Sequence, residues 1–154
     1  MIEARTEGLP ELLTVLERVA DDGVDLRRVD RELEDRFHEG EREQFDSQGA
    51  RSGGWKPRAE KEGTFAGAPL EQRSGRLRAS LTSRTADSIH RVEKDAAEYG
   101  SALPYARTQH EGNARGTLPG RPLIVVTEED ERAYLEIVRE DAADFMRSLG
   151  FEVI

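Results

Sequence analysis

The sequence predicts an α+β domain, a small antiparallel sheet packed with N-terminal and C-terminal helices and long loops left for contacts. Three observations carry this expectation. Apolar residues recur at helical spacing near both ends. Short segments rich in Ser, Thr, Ile, Val and Tyr lie between them. Stretches of Gly and Pro separate the two kinds of pattern.

At the N-terminus, Leu12, Val15, Leu16, Val19 and Ala20 mark one helix, with Pro10 in its first turn and Asp22-Gly23 at its end. Asp25 suits the N-cap of a second helix, whose stripe is Leu26, Val29, Leu33, Phe37 and, further on, Phe45. The other positions are nearly all charged, so this stripe is narrow and the helix needs a partner surface. Helical signals stop at Ser47. The run QGARSGG reads as a loop, then come Trp55-Lys56-Pro57, a charged segment to Gly63 and a second loop, GTFAGAP. Ser74 and Gly75 precede one or two helical turns presenting Leu77 and Leu81.

Residues 82–86, 88–93 and 97–102 read as an antiparallel meander. Pro104-Tyr105 opens a helical turn through His110, and EGNARGTLPGRP forms a glycine-rich loop of the length that compact domains keep for function. Leu123 to Val126 is expected as a buried strand. Thr127 and Asp130 have the spacing of a capping box, with Asp in place of the usual Glu or Gln. The helix that follows carries Tyr134, Ile137, Val138, Phe145 and Leu149, and Gly150 ends it. Phe151 to Ile154 is expected as an added edge strand. The organisation expected is one domain over 1–154: a helical part (1–48), a basic loop segment (49–80), a small sheet with a long loop (81–126), and a C-terminal helix and tail (127–154).

Composition narrows the function. The chain has 154 residues, 36% of them hydrophobic and 36% charged, against typical values of about 45–50% and about 25%. The core must be thin, and a domain of this kind gains stability by burying surface against copies of itself. There is no cysteine, which excludes disulfides and thiolate metal sites. The first residues lack the apolar run of a signal peptide, and no stretch approaches the roughly 20 apolar residues of a membrane span, so a soluble protein without membrane contact is expected.

The net charge is −9, which disfavours binding of the whole chain to nucleic acid. Twenty of the cations are arginine and three are lysine. Acid excess with arginine in place of lysine fits a halophilic host, where the Debye length falls to about 3 Å at molar salt, and it also fits high-GC coding. Charge is segregated: residues 1–48 carry a net −8 and 128–154 a net −6, while 49–83 carry +4. Solvated helix faces explain most of this. A sharper reading brings the basic middle of one copy against the acidic helices of another.

No constellation for catalysis stands out. His38, His90 and His110 show no metal-ligand spacing, with His38 expected on a helix surface and His90 on a strand face. Ser74-Gly75 lacks the G-x-S-x-G context of a nucleophile elbow. Gly112, Gly116 and Gly120, with Arg115 and Arg121, could cradle phosphate, but no strand and helix frame them in the needed order, and a flexible contact arm fits better. Trp55, the only tryptophan, is either a core anchor or an interface anchor. No enzyme activity, cofactor or metal is expected.

A series of short motifs then carries a resemblance. In order they are Phe45, Gln48-Gly49, Trp55-Lys56-Pro57, Ser74-Gly75-Arg76-Leu77 with Ser80-Leu81, Tyr105-Ala106 with Gln109-His110 and Gly112, and Leu118-Pro119-Gly120-Arg121-Pro122-Leu123. The series resembles the phage virion morphogenesis family, the Mu-type tail-completion proteins, over roughly residues 37–148. The chain departs from the family pattern in reversing its His-Gln pair and in placing Leu123 where Phe is usual.

The resemblance implies a structural virion protein at the neck of a tailed virus, in a ring often of six copies. Its partners would be itself, the neighbouring connector or adaptor, and the tail tube or terminator, with DNA passing through the bore without specific binding. A tail terminator, a head-closure adaptor or a nucleic-acid-binding module are the alternatives. Trp55, Tyr105, Arg121 and Pro122 are expected at subunit contacts or fixing the loops that make them. For Arg121 the choice lies between an acid of a neighbouring copy and a salt bridge within the chain.

Overall fold

The structure is a computed structural model and describes residues 9–57 and 74–153, with side chains from Leu13 onward. The expected loop at 63–69 and charged segment before it, the Leu12 side chain and Ile154 lie outside the described residues.

Helix α1 (Leu9–Asp22) is followed by a 3₁₀ turn (Leu26–Arg28), α2 (Asp30–Asp46) and a second 3₁₀ turn (Ala50–Ser52). Then come α3 (Arg76–Thr82), β1 (Ser88–Val92), β2 (Ala97–Ser101), α4 (Ala106–Glu111) and α5 (Glu128–Ser148). The result is an α+β fold whose sheet is one antiparallel hairpin, running in register from Ser88 opposite Ser101 to Val92 opposite Ala97. Asp25 caps as expected, but what it caps is the 3₁₀ turn, by accepting from the Arg27 N–H at 3.1 Å. Helix α2 begins after it, without a side-chain cap at Val29.

Three expected strands do not form, and each has a local reason. Residues 82–86 close α3 and make a turn. The hydroxyls of Thr82 and Ser83 donate back to the carbonyls of Arg78 and Ala79, both at 2.9 Å, and the Thr85 hydroxyl accepts from the Asp87 N–H. Ser and Thr here serve nearby backbone in place of a ladder. Residues 123–126 pair with no strand among the described residues, and side chains supply partners instead: His110 takes the Leu123 N–H and Glu41 takes the Val125 amide. Only Leu123 of the four is buried. Phe151 spends its N–H on the Met146 carbonyl, finishing α5 instead of starting a strand.

The core is Phe37 and Phe45 of α2, Trp55, Leu77 and Leu81 of α3, Leu103 and Leu123, with Tyr99 and Ala106 packed against it. Helix α5 leans on α2 but buries no apolar side chain fully: Tyr134, Ile137, Val138 and Phe145 are all half-buried. Polar ties hold its outer half. The Arg28 guanidinium grips Asp141 and lies 5.1 Å from the centre of the Phe145 ring. Leu13 and Leu16 of α1 are about half exposed.

Candidate functional site

Two features meet along α2. The first is a strap, residues 121–123, whose centre is the Pro122 carbonyl. That oxygen accepts from Gln44 Nε2 at 2.6 Å and from Trp55 Nε1 at 2.8 Å. Its neighbours are tied as firmly. The Arg121 N–H donates to the Gln109 carbonyl at 3.0 Å, and Arg121 Nε donates to the Lys56 carbonyl at 3.0 Å. The Leu123 N–H donates to His110 Nδ1 at 3.1 Å.

Trp55 is a core residue of the single chain, 8% exposed, with its ring edge-on to Phe45 at 5.3 Å between centroids. The path to it runs through Gly49, which has φ +88°. A Cβ there would stand 2.3 Å from the indole ring, so only glycine lets the chain pass. Of the four residues singled out in the sequence, the structure brings Trp55, Arg121 and Pro122 together. Tyr105 stands apart, 40% exposed at the start of α4.

The strap anchors the glycine-rich loop. The loop is closed at its base by an antiparallel bridge between Gly112 and Pro119. Inside it, the Asn113 N–H donates to the Leu118 carbonyl, the Leu118 N–H donates to Asn113 Oδ1, and Asn113 Nδ2 donates to the Thr117 hydroxyl at 2.7 Å. The segment expected as a flexible arm is therefore a built loop, with Ala114 to Thr117 exposed at its tip.

The second feature is a cleft of about 550 Å³ between α2, β2 and the turn before it, residues 124–126, and α5. Leu33, Phe37, Ile124, Val126 and Val138 give it apolar walls. Its charged lining is a network that sequence reasoning missed. The Asp130 carboxylate takes Arg36 Nη2 at 2.7 Å and Arg51 Nη2, and also caps α5 with Thr127 in the reciprocal box. Arg51 crosses α2 over Gly40, where a Cβ would meet its Nη1 at 2.6 Å.

Burial alone raises the Asp130 pKa, but the Thr127 bonds and the two guanidinium groups outweigh it and hold the carboxyl below its ordinary value. Glu41 goes the other way. It is 2% exposed, and burial pushes its pKa to about 8 against the opposing charge of Arg51 and the Val125 amide. Among the described residues Glu41 Oε2, Arg51 Nη1 and Arg36 Nε have no hydrogen-bond partner. A usable signal existed in the sequence: Glu41 and Gln44 fall at helical spacing from Phe37 and Phe45, on the stripe itself.

Among the described residues no group of three or more His, Cys, Asp or Glu could hold a metal ion, and no helix is long and apolar enough to cross a membrane. No curated protein and no solved structure matches the chain. A family match does exist, to the phage virion morphogenesis family, over residues 8–142. That span holds the strap, the loop it anchors and the cleft, and on it this chain belongs to the phage virion morphogenesis family.

Proposed function

We propose that this virion morphogenesis protein is a neck subunit of a tailed virus, one of several identical copies in a ring that completes the tail and joins it to the head connector. The observation that carries the reading is how the motif residues are spent. Gln109, His110, Arg121, Pro122 and Trp55 hold one another and the base of a projecting loop. Motif residues used to stiffen a contact loop fit a protein that works by assembling.

Two further features support self-association. Leu13, Leu16, Ile124 and Val126 leave apolar surface exposed on two parts of the chain, and a head-to-tail ring needs two different patches per subunit. The net charge of −9 would let DNA pass a bore with little adhesion. The partners on this reading are other copies, the connector or adaptor above and the tail tube or terminator below, and the protein resides in the virion.

Native mass spectrometry of the purified chain, with imaging of the virion neck carrying a tag on this protein, tests the reading. A closed oligomer and label at the head–tail junction are expected. Label at the distal tail, or absence from mature particles, overturns it.

A further inference from the structure

Strand β2 has one bonded edge and one open edge. The Glu93 N–H donates to the Ala96 carbonyl and the Ala102 N–H to the Asp87 carbonyl, both at 2.7 Å, so the even-numbered residues of β2 bond toward β1. Bonding alternates along an antiparallel ladder, and the N–H and C=O groups of Ala97, Tyr99 and Ser101 therefore point to the other edge. Among the described residues none of these groups has a partner. Tyr99 and Ser101 are half-buried, where unpaired backbone is costly. The segment AEYGS holds no Lys or Pro, residues that commonly keep an edge from pairing.

A slot runs along this edge. The 550 Å³ cleft and a second cavity of about 260 Å³ both have β2 in one wall and Ile124 in another, and Tyr99 lines the two. Ile124 and Val126 are exposed, Val126 by 58%, and Leu33 and Phe37 add to the apolar lining. Charge does not select the occupant. Asp130 is paired with Arg36 and Arg51, Asp95 is open to solvent, and Glu41, its pKa pushed up to about 8 by burial, is mostly protonated at neutral pH. The slot suits an apolar segment with unspent backbone groups.

Helix α1 exposes Leu13 and Leu16, but a helix spends its backbone within itself. Residues 151–153 fit better. The Phe151 N–H closes α5 on the Met146 carbonyl, while Glu152 and Val153 make no backbone hydrogen bond among the described residues. Phe151 and Val153 alternate with Glu152, so a strand here has one apolar face and one charged face. This segment cannot reach Val126 of its own chain. About 27 Å of helix separates Glu128, just past Val126, from Met146, and from Phe151 to Val153 the backbone returns at most about 7 Å.

We propose that residues 151–153 of one copy add as a strand to the open edge of β2 in a neighbouring copy, in the slot between β2 and residues 124–126. Phe151 and Val153 then face Leu33 and Phe37, and Glu152 faces away. Strand and slot are different surfaces, so the contact is head-to-tail and repeats around a ring. The inference rests on the neck-ring reading above.

The chain has no cysteine, so introduced thiols report cleanly. Val153→Cys and Val126→Cys are made as separate proteins, mixed and treated with a short thiol-reactive crosslinker. A mixed dimer, identified by intact mass, is expected in at least tenfold excess over either homodimer. Ala97→Pro removes an outward N–H and no ladder bond; added to the Val126→Cys protein, it is expected to cut the yield at least fivefold. An excess of the peptide LGFEVI should compete as strongly, and the same peptide N-methylated at the residues matching Glu152 and Val153 should not, a comparison that leaves the protein unaltered. If wild-type chain forms oligomers by native mass spectrometry but these thiols do not join, the strand addition is wrong and the ring stands. If the wild type stays monomeric and nothing joins, both fall. Equal competition by the two peptides would show that backbone pairing is not the contact, and preferential joining of Leu16→Cys to Val126→Cys would assign the slot to α1. Either result overturns the proposal.

Discussion

The strap and the cleft share α2, yet they solve the burial of polar groups in opposite ways. Around the Pro122 carbonyl, donors and acceptors meet at hydrogen-bond distance from four separate segments, and among the described residues only Gln44 Oε1 is left over. Around Glu41, three buried polar atoms have no partner among the described residues and one carboxyl takes a strongly raised pKa. A fully bonded cluster makes a structure unique, whereas a partly bonded one stores an unmet demand. The first region has the character of a fixed anchor, and the second leaves buried polar atoms uncompensated among the described residues.

The largest effect should come from the anchor. Trp55→Ala removes the indole from the core and a donor from the Pro122 carbonyl, and should lower unfolding free energy by about 3–5 kcal/mol, measured by urea denaturation. A loss below about 1 kcal/mol would mean that the strap is not held by Trp55. Asp130→Ala comes next. It strips the buried partner from Arg36 and Arg51 along with the α5 cap, and should cost about 3 kcal/mol. The Asp130 pKa is lowered on folding, so its contribution is present above the unfolded-state pKa and is lost as pH falls through the lower folded value.

Glu41 sharpens the contrast with a smaller effect of opposite sign. Its pKa rises from 4.5 to about 8 on folding, so the folded state binds the proton more tightly. The stability this confers is complete below the unfolded value and is lost as pH climbs through the folded one. Wild-type stability should therefore decline between about pH 5 and pH 8, and Glu41→Gln should flatten the decline and gain of order 2 kcal/mol at pH 8. Thermal melts across that range decide it, and identical slopes for both proteins would show that Glu41 ionises freely.

We further propose that the acid-rich surface belongs to a salt-loving host, in which case molar KCl should raise the melting midpoint by a few degrees, worth about 1 kcal/mol. Smallest of all is the exposed Arg107–Glu111 pair at 3.0 Å. Arg107→Ala should change stability by less than about 0.5 kcal/mol, which gauges surface pairs against the Asp130 network.

Much of the fold was legible in the sequence. The helical spacing of Val29, Leu33, Phe37 and Phe45 located α2, and Thr127 with Asp130 located the start of α5. The hairpin was readable from SIHRV and AEYGS, with Lys94-Asp95 between. The strands at 82–86 and 123–126 misled because β-prone residues there found partners in side chains and nearby carbonyls, which periodicity does not register. The site was half legible. The motif order pointed to Trp55, Arg121 and Pro122, while Glu41 and Arg51 looked like ordinary surface charge among 32 acids and 23 bases, and Asp130 was legible as a helix cap but not as the partner of Arg36 and Arg51. Their burial depends on Gly40 giving way to a side chain from a later turn, a pairing of distant residues that no local pattern encodes.

Between Pro122 and Thr127 the backbone runs through only four residues, Leu123 to Val126, a tether that can reach at most about 18 Å. One end is clamped by Trp55 and Gln44, the other by the first turn of α5. A pull on the loop beyond Arg121 would therefore reach the long C-terminal helix along the main chain, by way of Leu123 at the edge of the core. In an assembled particle such a route would let tension travel through covalent bonds from the loop to the longest helix of the chain.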